Sequence, residues 1–471
     1  MNFEEAVDEV YASHMAAEPY QDRYTPDIIK RHPELTKDLL TELASRREVP
    51  TVLVTGSKGK GSAARMLQTL LSSAGSVGLM TSPHLHDFND RFRVGDAIMP
   101  EEDLARIVEG LKPSFDAIQS RIPKEQCISP MGYQAAIALT WFQEKKVSFR
   151  ILECGKGVKS DDVGNVPHGY AMINGIFREH TRELGPELMD IAANKAAILS
   201  PETRAAAIAP QEEEVLELFL KRAEETGTKL LVYGRDFAAE DIRYSKQGME
   251  FAVRTSRQYY ENVKVPLLGE HQARNAALAI ALAEEILADV GAAWQDGQQT
   301  PEIPKRSAGV RNVAVSALQE ISWPGRMEVV SREPFCMVDA SINRESAREV
   351  VKVLEELKRE KALKEGEKLT FVIGVPDDKD YFGVVSTILP YAKEVILTGT
   401  VNRRYVFAGI QLPRLQEAYP EMPFSCITDL RELPALSKAS LQAGGWTKGP
   451  TVILGTTALI ENVYSPAILG Y

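Results

Sequence analysis

The chain has 471 residues, of which 44% are hydrophobic and 26% charged, with a formal net charge of -11. That length suggests two or three domains of about 150 residues, with enough apolar side chains for sizeable cores. The negative balance argues against a nucleic-acid partner, no apolar run approaches the ~20 residues that cross a bilayer, and the acidic start Met1-Asn2-Phe3-Glu4-Glu5 lacks the regions of a signal peptide.

In chain order, residues 1 to 48 read as helices, with Phe3, Val7, Val10 and Tyr11 at helical spacing. Thr51–Thr55 is a strand that runs into Gly56-Ser57-Lys58-Gly59-Lys60-Gly61-Ser62, and a helix is expected from residue 62, with Met66, Leu67, Leu70 and Leu71 on one stripe. Val77–Thr81 is a second strand, leading into Ser82-Pro83-His84-Leu85. Helices follow at 101–111 and 133–143, then strands at 149–153 and 170–174, a helix at 187–199, a strand at 205–209 and a charged helix at 211–226. This alternation predicts a mostly parallel α/β sheet. Residues 240–266 alternate apolar and polar side chains as an antiparallel patch does, 271–289 form an alanine-rich helix, and 290–307 read as a surface loop. After Trp323-Pro324-Gly325-Arg326 the alternation starts afresh: strands at 335–339, 369–374, 394–398 and 451–454, helices at 344–359 and 381–392. Two α/β domains are therefore expected, 1–322 and 323–471. Cys127, Cys154, Cys336 and Cys426 have neither metal nor disulfide spacing, which suits a reduced, cytoplasmic setting.

The glycine-rich stretch is the most informative. A strand, a turn that lets backbone N–H groups face inward, and a helix N-terminus make an anion site. Lys60 can reach the terminal phosphates of a nucleotide, and the Ser62 hydroxyl can sit on Mg²⁺. Gly61 separates lysine from hydroxyl, so the spacing departs from the usual phosphate-loop pattern. In open α/β sheets ligands bind beyond the carboxyl ends of the strands. There stand Gly56–Ser62, Ser82, Glu153 and the turn from Phe177 to His180. Taken singly, Glu153 is as often a surface residue, and His180 a helix cap. Together they could hold Mg²⁺ and position a phosphoryl transfer.

The loop, with Thr81-Ser82-Pro83-His84-Leu85, Phe88-Asn89-Asp90-Arg91-Phe92-Arg93, Leu152-Glu153-Cys154-Gly155, Glu179-His180-Thr181 and Asn194-Lys195-Ala196, resembles folylpolyglutamate synthase, of the Mur ligase superfamily. The likeness extends through Gly269-Glu270-His271-Gln272-Ala273-Arg274-Asn275, Trp323-Pro324-Gly325-Arg326 and Asp378-Lys379-Asp380. It implies an α/β fold: a P-loop Mur-ligase-type ATPase domain plus a smaller Rossmann-like C-terminal domain. It also implies a ligase that uses ATP and Mg²⁺ to join a small-molecule carboxylate acceptor to an amino acid, with glutamate the leading choice. By this resemblance Gly56, Ser57, Lys58, Gly59, Lys60, Gly61 and Ser62 hold the phosphates, and Asn275 the adenine. Arg326 and Asp339 serve phosphates and ribose. Ser62, Ser82, Glu153, His180 and Lys195 serve the metal, Lys195 as a carbamate. Lys60, Glu153, His180 and Lys195 make up the catalytic set.

Several motifs depart from the family. Its second-domain Asp-Gly-Ala-His-Asn reads Asp339-Ala340-Ser341-Ile342-Asn343, losing an imidazole. The loop after Glu153 carries Lys156 and Lys159 where an arginine is usual, a Phe-Glu pair reads Gly132-Tyr133, and a Gly-Ser-Leu-Tyr-type stretch reads Gly455-Thr456-Thr457-Ala458. The ATP side is better kept than the acceptor side. Other readings are a catalytically altered nucleotide-binding subunit and a poly-γ-glutamate-type ligase with a non-folate acceptor. The oligomeric state, monomer or otherwise, is not legible.

Overall fold

The computed structural model describes residues 1–21, 30–84, 87–295, 313–399, 410–427, 435–443, 445–446 and 448–464. Its larger sheet is built outward from strand β1, Thr51–Thr55, whose five residues are all buried. The further strands are β2 (Val77–Met80), β3 (Phe92–Val94), β4 (Ala97–Ile98), β5 (Phe149–Glu153), β6 (Tyr170–Ile173), β7 (Ala205–Ile208) and β8 (Lys229–Val232). The order is β4-β3-β2-β5-β1-β6-β7-β8. From β2 to β8 every pairing is parallel, while β3 and β4 run antiparallel at one edge. Parallel strands need both faces covered, which explains why β6 and β7 read as continuous apolar runs and why every residue of β1 and β5 is buried.

Helices supply the cover: α1 (Phe3–Ala17), α2 (Lys37–Ser45), α3 (Lys60–Leu71), α4 (Glu101–Gln119), α5 (Pro130–Glu144), α6 (Leu188–Ala196), α7 (Glu213–Thr226) and α8 (Glu270–Gln295). Helix α1 begins with a capping box in which Asn2 accepts from the Glu5 amide and Glu5 accepts from the Asn2 amide. Helix α3 starts at Lys60, just before the expected residue 62, because Gly59 takes a left-handed φ of 85° and turns the chain into the helix. Helix α4 runs past residue 111 through Pro113 to Gln119, carried by the buried Phe115 on the same apolar stripe.

Strands β9 (Phe237–Ser245), β10 (Gly248–Thr255) and β11 (Tyr259–Val265) form a three-stranded sheet in the order β11-β10-β9. The loop expected at 290–307 begins later, since α8 continues to Gln295; 296–312 lie outside the described residues. Strands β3, β4 and β8 went unread because they are short and two of them carry charged residues.

Two compact units partition the chain. Met1–Ala239, Val253–Tyr260 and Arg274–Ala317 make the first; Glu240–Ala252, Glu261–Ala273 and Leu318–Tyr471 make the second. The second holds a six-stranded sheet of β12 (Glu328–Arg332), β13 (Phe335–Asp339), β14 (Leu369–Gly374), β15 (Ala392–Thr398), β16 (Phe424–Ile427) and β17 (Thr451–Gly455), in the order β12-β13-β17-β14-β15-β16. All its pairings are parallel except β12 with β13. Helices α9 (Arg344–Arg359), α10 (Tyr381–Ile388), α11 (Gln411–Ala418) and α12 (Thr457–Tyr464) accompany it. Among the described residues no helix is long and apolar enough to cross a membrane.

Packing on the larger sheet is close where β2 meets α5. A Cβ added to Gly78 would lie 2.6 Å from ring atoms of Phe142, a residue that is itself fully buried. Gly78→Ala is expected to destabilise the chain by about 1–3 kcal/mol, as overpacking of a filled core does. Denaturant unfolding would read this as a lower midpoint at unchanged slope; an unchanged midpoint would show that the α5 contact yields freely.

Candidate active site

The carboxyl end of β1 lies between those of β5 and β6, with Val54 opposite both Glu153 and Met172, and Thr55 opposite Ile173. One residue further along, the loop from Gly56 begins beside Asn174. Gly56 has φ 133°, and a Cβ there would stand 2.5 Å from the Asn174 Cβ. A side chain at Gly56 is thus barred both by backbone conformation and by space. Ser57 ties the loop to the turn after β6: its amide donates to Gly175 O at 2.9 Å, its hydroxyl donates to Phe177 O at 3.2 Å, and the Phe177 amide donates back to that hydroxyl at 3.1 Å. Lys58 Nζ sits 5.7 Å from the centre of the Phe177 ring.

Two lysines converge on one carbonyl. Lys60 Nζ donates to Gly56 O at 3.1 Å, and Lys195 Nζ donates to the same oxygen at 2.9 Å. Lys195, on α6, is fully buried; it also donates to Lys156 O at 2.9 Å and meets Glu179 Oε1 at 3.4 Å. Burial, and then the neighbouring charge of Lys60, bring its ammonium down to about 8, with Glu179 opposing. Lys60 faces the buried carboxylate of Glu153, with 4.0 Å between Nζ and Oε1. The other carboxylate oxygen of Glu153 accepts from the Ser82 amide at 3.0 Å, so it is the backbone of Ser82 that touches it.

His180 caps the helical turn Thr181–Leu184 with a left-handed φ of 47°. Its ring nitrogens lie 3.7 Å from Glu179 and 4.0 Å from Glu183. Partial burial holds the imidazole below its ordinary value despite those carboxylates, so it is neutral at pH 7. Lys156 Nζ donates to Glu183 at 3.0 Å, linking the loop after Glu153 to the same turn.

The chain therefore gathers Gly56–Ser62, Ser82, Glu153, Lys195 and Asn275 in the first unit, with His180 joined to Lys195 through Glu179. Sequence reasoning missed Asn174. Its Nδ2 donates to Asn275 Oδ1 at 2.8 Å, and it backs onto both Gly56 and Gly59. Its position one residue beyond β6 was the signal that could have found it.

Arg326 and Asp339 belong to the second unit and form a separate cluster with His271. Asp339 is buried, accepts from the Met327 amide at 2.9 Å and from the Ser341 hydroxyl. Burial raises its carboxyl, while Ser341, Arg326 and His271 pull it back. Ile342, where the resemblance expects an imidazole, offers its amide to Ser346 Oγ at 3.2 Å.

The departure at Gly132-Tyr133 has a structural reason. Gly132 is the close approach of α5 to Asp162, whose Oδ1 would lie 2.5 Å from an added Cβ. Tyr133 stacks on Phe115 with ring centroids 3.8 Å apart, which makes it a core residue.

Among the described residues no three His, Cys, Asp or Glu side chains gather as a ready metal site. The buried Ser62 hydroxyl and the Glu153 carboxylate are nevertheless the hard oxygen donors that suit Mg²⁺, which usually takes one or two carboxylates and completes its shell with phosphates and water. Lys195 does not fit as a ligand in its ammonium form, because its N–H groups donate to carbonyls.

The Mur ligase middle domain family matches residues 54–283. The chain is 31% identical over 383 residues to a probable bifunctional folylpolyglutamate synthase/dihydropteroate synthase of Haloferax volcanii, a match over 80% of this chain and 42% of that relative. The chain thus spans about two fifths of that relative's length. It is 27% identical over 383 residues to the dihydrofolate synthase/folylpolyglutamate synthase of Bacillus subtilis, covering 80% of this chain and 81% of that one. In fold it is similar to an FPGS-AMPPCP complex, with TM-score 0.74, 20% identity and 98% of each chain covered. It is likewise similar to the folylpolyglutamate synthase of Thermotoga maritima, with TM-score 0.73, 23% identity and 92% of each chain covered.

The Lys195 environment can be tested directly. In carbonate-free buffer, carbon-13 lysine NMR is expected to show one amine titrating with a midpoint of about 8 instead of 10.5, absent in Lys195→Arg. Because the unfolded chain keeps this proton where the folded chain releases it, the group's contribution to stability rises with pH between those two values. A spectrum in which every lysine titrates at the ordinary value would contradict the burial of this amine beside Lys60.

Proposed function

We propose that the chain is a folylpolyglutamate-synthase-like member of the Mur ligase superfamily and, on that premise, an ATP-dependent ligase joining an acceptor carboxylate to an amino acid, glutamate in the first instance. The observation that carries this reading is the meeting of Lys60 and Lys195 at Gly56 O with the Glu153 carboxylate alongside. A phosphate loop alone binds anions; the Lys60 ammonium, a facing carboxylate and a second lysine able to become a carbamate together suit a metal-assisted reaction in which one anion attacks another.

In the proposed reaction an acceptor carboxylate oxygen attacks the γ-phosphorus of ATP. The bond from that phosphorus to the β–γ bridging oxygen breaks, and ADP leaves. The amine of the incoming amino acid then attacks the carbonyl carbon of the acyl phosphate, the amide forms, and inorganic phosphate departs with the former carboxylate oxygen. Carboxylate and triphosphate repel each other, so fixed cations aimed at them lower the barrier most. Lys60 and the loop amides between Gly56 and Ser62 hold the phosphates, except the Ser57 amide, which is bonded to Gly175 O, and Asn275 holds the base. The amino acid attacks as the free amine, its proton having passed to solvent.

Mg²⁺ would be held by Ser62, Ser82, Glu153 and His180 with phosphate oxygens, and when bound it neutralises phosphate charge. Lys195 joins that set only as a carbamate, and its lowered pKa supplies the neutral amine that carbamylation requires. Arg326 and Asp339 are the nucleotide contacts proposed for the second unit. Folate is the acceptor class offered first, since the relatives are named for it. Lys156 and Lys159, where an arginine is usual, change how an acid is gripped and favour an acceptor other than folate itself.

Lys60→Ala and Glu153→Ala are expected to fold and to lose turnover by roughly 10²–10³, the usual cost of one positioned electrostatic group. The assay is release of ADP and phosphate in the presence of ATP, glutamate and a panel of folate-type and other carboxylates. Near-wild-type turnover in either variant removes that residue from the mechanism. AMP and pyrophosphate as products would overturn the acyl-phosphate route.

A further inference from the structure

Asn174 stands behind the phosphate loop with its backbone locked on both sides. Its amide donates to Thr55 O at 2.8 Å, and its carbonyl accepts from Gln211 Nε2 at 3.1 Å. Its side chain is held just as closely. Gly56 packs on its Cβ, and a Cβ on Gly59 would lie 3.0 Å from its Nδ2 and 3.1 Å from Asn275 Oδ1. The residue is 2% exposed, and its one polar side-chain contact runs from Nδ2 to Asn275 Oδ1 at 2.8 Å, while Oδ1 has no hydrogen-bond partner among the described residues.

A carboxamide has a donor end and an acceptor end, and which way it points is decided by its hydrogen-bond neighbours. Asn174 Nδ2 donates to Asn275 Oδ1, and in this arrangement the Asn275 oxygen is turned toward Asn174. That fixes the position of the Asn275 amide nitrogen as well. An asparagine so fixed reads adenine through its oxygen, which accepts from the 6-amino group, and its nitrogen, which donates to N7. Guanine carries an oxygen at position 6 and opposes the first of these contacts.

We propose that Asn174 is a specificity-determining positioning residue: by orienting the Asn275 carboxamide it sets the preference for a 6-aminopurine nucleotide over a 6-oxopurine one. This rests on the reading of Asn275 as the base contact. Asn174 itself touches the loop and Asn275, so it acts through them.

The test is equilibrium binding of Mg·ATP and Mg·GTP to the full chain, expressed as the ratio of the two affinities. Asn174→Asp keeps the size of the side chain and removes its donor, which obliges Asn275 to turn its nitrogen inward. The ratio is expected to fall by at least about tenfold, the scale of one bidentate base contact. An added carboxylate near the loop weakens both nucleotides alike and cancels in the ratio, as does any general loosening of the fold. Asn174→Ala, which takes this donor away from the Asn275 amide, is expected to lower the ratio as well and serves if the aspartate variant does not fold. Asn275→Ala should abolish the preference, and the double variant Asn174→Asp/Asn275→Ala should lose no more. A ratio unchanged in folded Asn174→Asp or Asn174→Ala while Asn275→Ala loses it overturns the coupling. A ratio unchanged in Asn275→Ala overturns the base-contact reading on which it rests.

Discussion

Two ammonium groups share one backbone carbonyl, and much of the first unit is arranged to permit it. Like charges that are largely removed from water repel strongly, and each needs compensation close by. Gly56 O accepts from both, Glu153 faces Lys60, and Glu179 faces Lys195. Burial, and then the charge of Lys60, bring the ammonium of Lys195 down even so. Cations held this tightly are placed to meet an anion, and the start of α3 adds the amides of a helix N-terminus.

The sheet makes this arrangement possible. Because β1 lies between β5 and β6, the residues that follow three strands emerge side by side: Gly56 after β1, Glu153 at the end of β5, Asn174 after β6. The close packing of Gly56 on Asn174 is then a direct result of strand register, and it explains why a residue with a side chain cannot stand at the start of the loop. Asn174 in turn donates to Asn275, on the first turns of α8. The second unit repeats the logic with different residues, since Asp339 ends β13 and draws Ser341, Arg326 and His271 around it.

The phosphate loop was legible because its chemistry is written contiguously: five strand residues, three glycines, a lysine, a hydroxyl and a helix. Glu153 and the Phe177–His180 turn were legible as strand-end positions, once a parallel sheet was read from the alternation. What spacing could not give was the partnership of each group. That Ser82 serves Glu153 through its amide, that Lys195 and Lys60 share an acceptor, and that Asn174 contacts Asn275 all depend on residues far apart in sequence. The departures at Gly132 and Tyr133 looked like substrate changes and are explained by packing: one is the approach of α5 to Asp162, the other an aromatic stack in the core. Short edge strands such as β3 and β4 carried too few residues for a period to show, and the long α4 ran through a proline that reads as a break.

The central claim is that a carboxylate oxygen of the acceptor becomes an oxygen of the released phosphate. It is tested most directly by supplying folate with oxygen-18 in its side-chain carboxylate, together with ATP and glutamate, and weighing the phosphate by mass spectrometry. The account predicts one labelled oxygen in inorganic phosphate and none in ADP. Label in AMP, or amide product formed with unlabelled phosphate, would contradict it.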